Sequence, residues 1–168
     1  MYAMSHTTFD IKMPIKTMEM IVSLKMPDTT AITALQTLQK LGFNKIKDVK
    51  RSFWYKFSVE GNLENFKNKI SKVDILVNAN KHSFDFEIKK DNYVKILVKN
   101  IDDDGSGLLS TLKSRLGFSN LRKAESGVLW SLLIDANEKE SGKIAEKAAK
   151  DLLVNEHYQE FAVLQVIL

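Results

Sequence analysis

The sequence predicts an α+β fold made of two tandem copies of one strand-helix-strand-strand-helix-strand unit. Three observations carry that prediction. Leu41-Gly42-Phe43 recurs as Leu116-Gly117-Phe118, 75 residues later, and the correspondence runs without a gap to Asn62 and Asn137. Asp74-Ile75-Leu76-Val77-Asn78 recurs as Asp151-Leu152-Leu153-Val154-Asn155, now 77 residues later. Within each copy the apolar spacing switches between the two-residue period of a half-buried strand and the three-to-four spacing of an amphipathic helix.

The elements follow in order. Each copy opens with an alternating strand, in which Met20, Val22 and Leu24 share one face in the first and Val94, Ile96 and Val98 in the second. A helix follows, carrying Ile32, Leu35 and Leu38 or Leu108, Leu109, Leu112 and Leu116 on its apolar side. Gly42 and Gly117 stand just past these helices, where a left-handed residue closes the last turn. Next come two strands, about 45–50 and 53–60 in the first copy, with a hairpin-like bend between them. Ser126-Gly127 supplies the turn chemistry in the second. A second helix is expected over 63–77 and 138–154. The closing strands carry Phe84, Phe86 and Ile88, or Phe161 and Val163.

This order is that of a ferredoxin-like unit, an antiparallel sheet with helices on one face. One such unit covers a single side of its sheet, so the two copies, 17–91 and 92–168, are expected to pack as a pseudo-dimer. Residues 1–16 lack periodicity and read as a flexible extension. Phe161 to Leu168 is apolar on both faces, which suits a central strand or one buried at an interface.

Composition excludes several chemistries. The chain has 168 residues and no cysteine, so disulfides, thiolate metal sites and a cysteine nucleophile are ruled out. It carries 25 basic and 21 acidic side chains, a net +4. Residues 1–91 hold 15 basic and 10 acidic groups and residues 92–168 hold 10 and 11, so the excess belongs to the first copy. With no long basic run, that surplus reads as a solvated lysine-rich surface. No apolar run reaches membrane-spanning length and no signal pattern opens the chain, so a cytoplasmic location is expected.

Candidate chemical sites are few. His6, His82 and His157 have no partner at ligand or base spacing, and no catalytic residue, cofactor site or metal site is expected. Asp102-Asp103-Asp104-Gly105-Ser106-Gly107 begins like a calcium loop. Its twelfth position is Lys113 where a bidentate Glu is needed, so it reads as a polar loop capping the next helix. Phe53, Tyr55 and Phe57 alternate on a strand where RNA-recognition domains display stacking aromatics. The second copy keeps those positions apolar, which favours core or copy-to-copy contacts.

These segments resemble the small PurS-type subunit of phosphoribosylformylglycinamidine synthase, each copy matching one such chain. Lys99 to Gly107 is similar to the family's Lys-x-x-Val-Leu-Asp-Pro-Gln-Gly, keeping Lys99, Asp104 and Gly107 in place. Leu116-Gly117-Phe118 resembles its Leu-Gly-Tyr/Phe, and Leu152 through Phe161 resembles its Leu-Leu-Ala-Asn ending. In the first copy Asp48-Val49-Lys50 resembles Asp-Val-Arg. Gly105 and Ser106 replace the family's Pro and Gln. The resemblance implies a non-catalytic accessory subunit of a glutamine-dependent ligase in purine biosynthesis, bridging the ATP-dependent synthetase and glutamine amidotransferase subunits. It places the partner surfaces at Lys99, Asp104 and Gly107 and at Lys45, Lys47, Lys50 and Arg51. Two other classes fit the residues, an RNA-binding module and a small-molecule regulatory module, and self-association of the pseudo-dimer is compatible with all three.

Overall fold

In the computed structural model, which describes residues 12–164, the chain is α+β with one six-stranded antiparallel sheet. The strands are β1 (Ile15–Leu24), β2 (Ile46–Glu60), β3 (His82–Asp85), β4 (Tyr93–Asn100), β5 (Leu121–Ile134) and β6 (Gln159–Leu164). Their order across the sheet is β3-β1-β2-β5-β4-β6. The helices are α1 (Thr29–Lys40), α2 (Leu63–Ile70), α3 (Ser106–Ser110) and α4 (Glu138–Ala148). The last two run on into π-helical turns, Thr111–Arg115 and Ala149–Leu153. Of the predicted extension, residues 1–11 lie outside the described residues, and β1 begins at Ile15, inside the segment assigned to it.

The principal correction concerns the middle of each half. The two strands expected at 45–50 and 53–60 are one strand of 15 residues, and β5 likewise runs straight through Ser126-Gly127. Arg51-Ser52 contains neither Gly nor Pro, and Phe53, Tyr55, Phe57 and Val59 stay in phase with Val49 across Arg51, so nothing forces the chain to fold back. Each long strand pairs with the other. The β2–β5 ladder runs from Ile46 opposite Ile134 to Val59 opposite Leu121, with Phe53 opposite Val128 at its centre.

Both ends of this ladder close in the same way. The Asp135 N–H donates to the Lys45 carbonyl (2.8 Å) and the Glu60 N–H to the Asn120 carbonyl (2.9 Å). Register shifts leave Lys47 and Arg122 as the extra residues of two β-bulges. Each bulge cation donates to a carbonyl three residues back, Lys47 to Asn44 (2.8 Å) and Arg122 to Ser119 (2.9 Å). Asn62 and Asn137 cap α2 and α4 through the N–H groups of Asn65 and Glu140. Gly42 and Gly117, with φ of 100° and 75°, end the preceding helical segments as expected. Each of these matched pairs of residues stands 75 apart in the sequence.

Because the strands run through, the helices sort across the halves. One buried cluster packs Ala31, Ala34 and Leu38 of α1 with Ala145 and Ala148 of α4 over Val49, Ile96 and Leu132. The other packs Phe66 and Ile70 of α2 with Leu112, just beyond α3, over Met20, Phe57 and Leu121. Val49 and Phe57 lie on the same side of β2, so all the helices cover one face. The segment after β3 crosses the opposite, open face, where Ile88 packs on Ile21, Trp54 and Leu129.

Several expected elements are shorter. The helix predicted over 63–77 stops at Ile70, and the chain continues in turns closed by Val73 N–H to the Ile70 carbonyl (3.2 Å) and Val77 N–H to the Val73 carbonyl (2.8 Å). Phe86 and Ile88 lie beyond the four residues of β3. Ile32 and Leu116, expected on buried helix faces, are exposed; Ala31, Ala34 and Leu38 form the buried stripe of α1 instead. The doubly apolar last strand is not central: β6 lies at the edge of the sheet.

Each cluster draws on both halves, so the chain should unfold in one transition. Phe57→Ala and Leu132→Ala, one in each cluster, are each expected to cost about 3–4 kcal/mol and to lower the same single urea midpoint. Two resolved transitions, with each variant shifting only one, would show independent halves.

Candidate partner-binding surface

The seven residues proposed to face a partner do not form one surface. On β2 the two-residue alternation sends Lys50 to the open face and Arg51 to the helix face. Arg51 is held by Asp28, its Nε donating to Oδ2 at 2.8 Å and its Nη2 to Oδ1 at 3.3 Å. The same carboxylate accepts from the Thr30 N–H (2.9 Å) and caps α1. Arg51 therefore fixes a helix start to a strand. Lys45 is exposed and pairs with Glu140 of α4, while Lys47 projects from its bulge into solvent.

Lys50 belongs to a cluster on the open face that the sequence pattern did not reveal. Its ammonium lies 4.4 Å from the Tyr93 ring centroid, and the Tyr93 hydroxyl donates to Asp48 Oδ2 at 2.7 Å. Burial and the Asp48 carboxylate push the phenol above its ordinary value. Lys95, only 4% exposed, is paired with Asp91 at 2.9 Å. Partial burial alone would raise the Asp91 carboxyl, but Lys95 and the Tyr93 N–H hold it below the usual range. Cations and anions balance here, so the cluster anchors the crossing segment to the sheet.

Lys99 also lies on the open face and is committed within the chain, donating to Glu125 at 3.2 Å and standing 6.0 Å from the Trp54 ring. Burial tends to raise the Glu125 carboxyl, but Lys99, with Lys123 and Lys56 beyond it, keeps it below its ordinary value. Trp54, 3% exposed, donates from its indole N–H to Glu19 at 3.3 Å. Beside it, Gly127 is required by crowding: a Cβ there would meet the Val98 carbonyl oxygen at 2.6 Å.

The sequence predicts that the loop from Ile101 to Gly105 caps α3 with a side chain, but the N-cap is Gly105 and no side chain caps the helix; the aspartates make tight local turns ahead of it instead. Asp103 accepts from the Gly105 N–H and Asp104 from the Ser106 N–H, each at 2.9 Å. The Ser106 hydroxyl and N–H hold the exposed Asp104 carboxyl below its ordinary value. The constrained glycine is not Gly107, which lies in open space, but Gly105. Its φ is +78°, and a Cβ would fall 1.8 Å from the Ala124 carbonyl oxygen. The three histidines divide: His6 lies outside the described residues, His82 accepts from the Asn78 N–H (3.1 Å), and His157 is exposed. Among the described residues no group of three or more His, Asp or Glu is arranged to hold a metal ion.

On the helix face, the two helix pairs leave the centre of the sheet uncovered. A cavity of about 370 Å³ opens over Phe53, Tyr55 and Val128, walled by Ile75 and Leu108, with Asp103 on its rim. Across the Phe53–Val128 pair a second, of about 410 Å³, opens over Trp130 between threonines of α1 and Leu152. Phe53 and Ile75 beside the first cavity and Leu152 beside the second are 38%, 62% and 37% exposed, large apolar side chains left open along an otherwise helix-covered face. Phe57 on the same face is fully buried, and burial raises the Tyr55 phenol. The alternating aromatics thus look toward the helices and the central groove, whereas an RNA-stacking platform uses the uncovered face of its sheet.

Two stability predictions follow from this geometry. Gly105→Ala should destabilise the chain by more than the ~1–2 kcal/mol of a left-handed residue alone, which is the loss expected for Gly117→Val, while Gly107→Ala should be neutral or mildly stabilising. Urea denaturation of the three variants tests this ranking. A carboxylate whose folded value is depressed stabilises above its unfolded value and loses that contribution as pH falls through the folded one. Glu125→Gln should therefore be less stable than the parent at neutral pH, and the gap should vanish in strong acid; a gap independent of pH would remove Lys99 and its neighbours as the cause. The chain matches no protein-family model and no curated protein sequence, and no helix among the described residues is long and apolar enough to cross a membrane.

Proposed function

We propose that this chain is a covalently linked pair of PurS-type, ferredoxin-like copies serving as a non-catalytic accessory subunit of phosphoribosylformylglycinamidine synthase. In this reading it bridges the ATP-dependent synthetase and the glutamine amidotransferase in the cytoplasm. The observation that carries the proposal is the exposure of Phe53, Ile75 and Leu152 beside the two cavities over the ladder that joins the halves. A chain that presents such side chains beside the Asp103-Asp104 loop offers a partner both apolar area and a charged rim.

The strand order supports the ferredoxin-like part of the reading in an exchanged form. β6, β4 and the second half of β5 are completed by the first half of β2, with α1 and α4 above them. β3, β1 and the second half of β2 are completed by the first half of β5, with α2 and α3 above them. Each four-stranded unit then has the strand order of a ferredoxin-like sheet, with one helix and one half-strand supplied by the other copy. The matched caps, bulges and closing hydrogen bonds, each 75 residues apart, support descent from one duplicated unit.

The partner surface is narrower than the resemblance implies. Lys99 and Arg51 are engaged within the chain, whereas Asp104 and Lys47 are exposed. Phe53→Asp and Ile75→Asp should abolish co-purification of the synthetase and amidotransferase subunits from the source cell, while Asp104→Arg should weaken it. Ile75→Asp and Asp104→Arg should keep the parental melting behaviour, because those side chains are exposed; Phe53, at the centre of the ladder and 38% exposed, should lose some stability as Asp, so Ile75→Asp is the control that separates binding from folding. If the parent chain brings down neither subunit, the proposal fails. If Phe53→Asp still brings down both, the central groove is not their seat.

A further inference from the structure

We propose that the outer edge of β6 pairs antiparallel with the same strand of a second copy of this chain, across a two-fold axis at Phe161. The inference is independent of the proposed function. It begins from a difference between the two edges of the sheet. β3 is four residues long and ends at Asp85, which is paired with Lys89 (3.5 Å); short length and charge are the usual protection of an exposed edge. β6 is longer and carries a single charge, Glu160, after which Phe161, Ala162, Val163 and Leu164 follow one another without another. Phe161, Val163 and Leu164 are each only half-buried by the chain itself.

The direction of the free hydrogen-bonding groups follows from the ladder. The Ile101 N–H donates to the Tyr158 carbonyl at 2.9 Å, and β4 and β6 continue from there in an unbroken register, Asn100 opposite Gln159 through Lys95 opposite Leu164. In an antiparallel pair, inward and outward residues alternate. Glu160, Ala162 and Leu164 thus bond to β4; the Gln159 N–H is taken by the Asn155 carbonyl (2.8 Å), and the Gln159 C=O and the N–H and C=O groups of Phe161 and Val163 point outward. Among the described residues no strand meets them.

A second copy fits this edge by charge and by pattern. A two-fold at Phe161 sets Gln159, Phe161 and Val163 opposite Val163, Phe161 and Gln159, so each free N–H finds a carbonyl: Phe161 bonds to Phe161 in both directions and each Val163 N–H meets the Gln159 carbonyl of the other copy. Residues of the helix face meet residues of the helix face, and Ala162 meets Glu160. Moving the axis to Glu160 would oppose two carboxylates, which fixes the register against that slip. Leu164 already joins the apolar patch of the open face with Leu97 and Leu129, so pairing would extend that patch from one copy into the next.

Light scattering or sedimentation equilibrium of the full chain should give twice the 19.1 kDa chain mass at high protein concentration, dissociating on dilution. Val163→Pro removes an outward N–H without touching the bonds to β4 and should return the mass to that of one chain with an unchanged circular dichroism spectrum. Ala162→Glu, which places a carboxylate opposite Glu160 of the second copy, should do the same should the proline disturb folding. The amides of Phe161 and Val163 should show hydrogen-exchange protection that rises with protein concentration. A single-chain mass at every concentration, a dimer unaffected by both variants, or exchange of these amides independent of concentration would each overturn the proposal.

Discussion

The continuity of β2 and β5 is the constraint from which the rest of the structure follows. Had the chain reversed at Arg51-Ser52 and at Ser126-Gly127, each half would have closed its own four-stranded sheet, leaving two small units in loose contact. Running straight, each strand leaves its own half after about half its length and completes the sheet of the other. Both helix pairs, both buried clusters and the uncovered centre of the helix face result from that single choice. A half of about 75 residues has little core of its own, and the continuous strands let the two halves share what neither could bury alone.

The energetics of the exchange explain the position of polar groups that otherwise look functional. Arg51 would be an unusual residue beneath helices, but Asp28 neutralises it and uses the same carboxylate to start α1. Lys95 sits almost wholly buried only because Asp91, on the segment crossing the open face, meets it. Buried ion pairs of this kind contribute little net stability, since desolvation offsets attraction, yet losing either partner is costly. They fix register and the path of the connection more than they strengthen the fold.

Much of this was legible in the sequence. The alternation of Met20 and Val22, that of Val94 to Val98 and the two helix-ending glycines act locally, so a local pattern reports them, whereas Leu24, expected on the same face at the end of β1, is 38% exposed. The bend was misplaced because Ser126-Gly127 carries turn chemistry, whereas Gly127 is there to let the Val98 carbonyl approach. The shortened second helix and the exposed Ile32 reflect which neighbour covers each residue, and that is decided by elements distant in the chain. The same holds for the site. Lys50 and Arg51 are adjacent in sequence and on opposite faces in space, while Phe53 and Ile75, far apart in the chain, line one cavity.

The joining segment that crosses the open face has a further consequence for what the molecule can present. An assembly of two identical chains about a true two-fold must show the same surface twice. Here the two cavities beside Phe53 and Val128 differ in their lining. One is floored by a phenol and rimmed by a carboxylate, and the other is floored by an indole and walled by threonine hydroxyls. In a single chain no symmetry demands that a substitution be tolerable at two equivalent places at once. Each cavity is free to acquire its own chemistry while the common ladder holds the distance and angle between them constant.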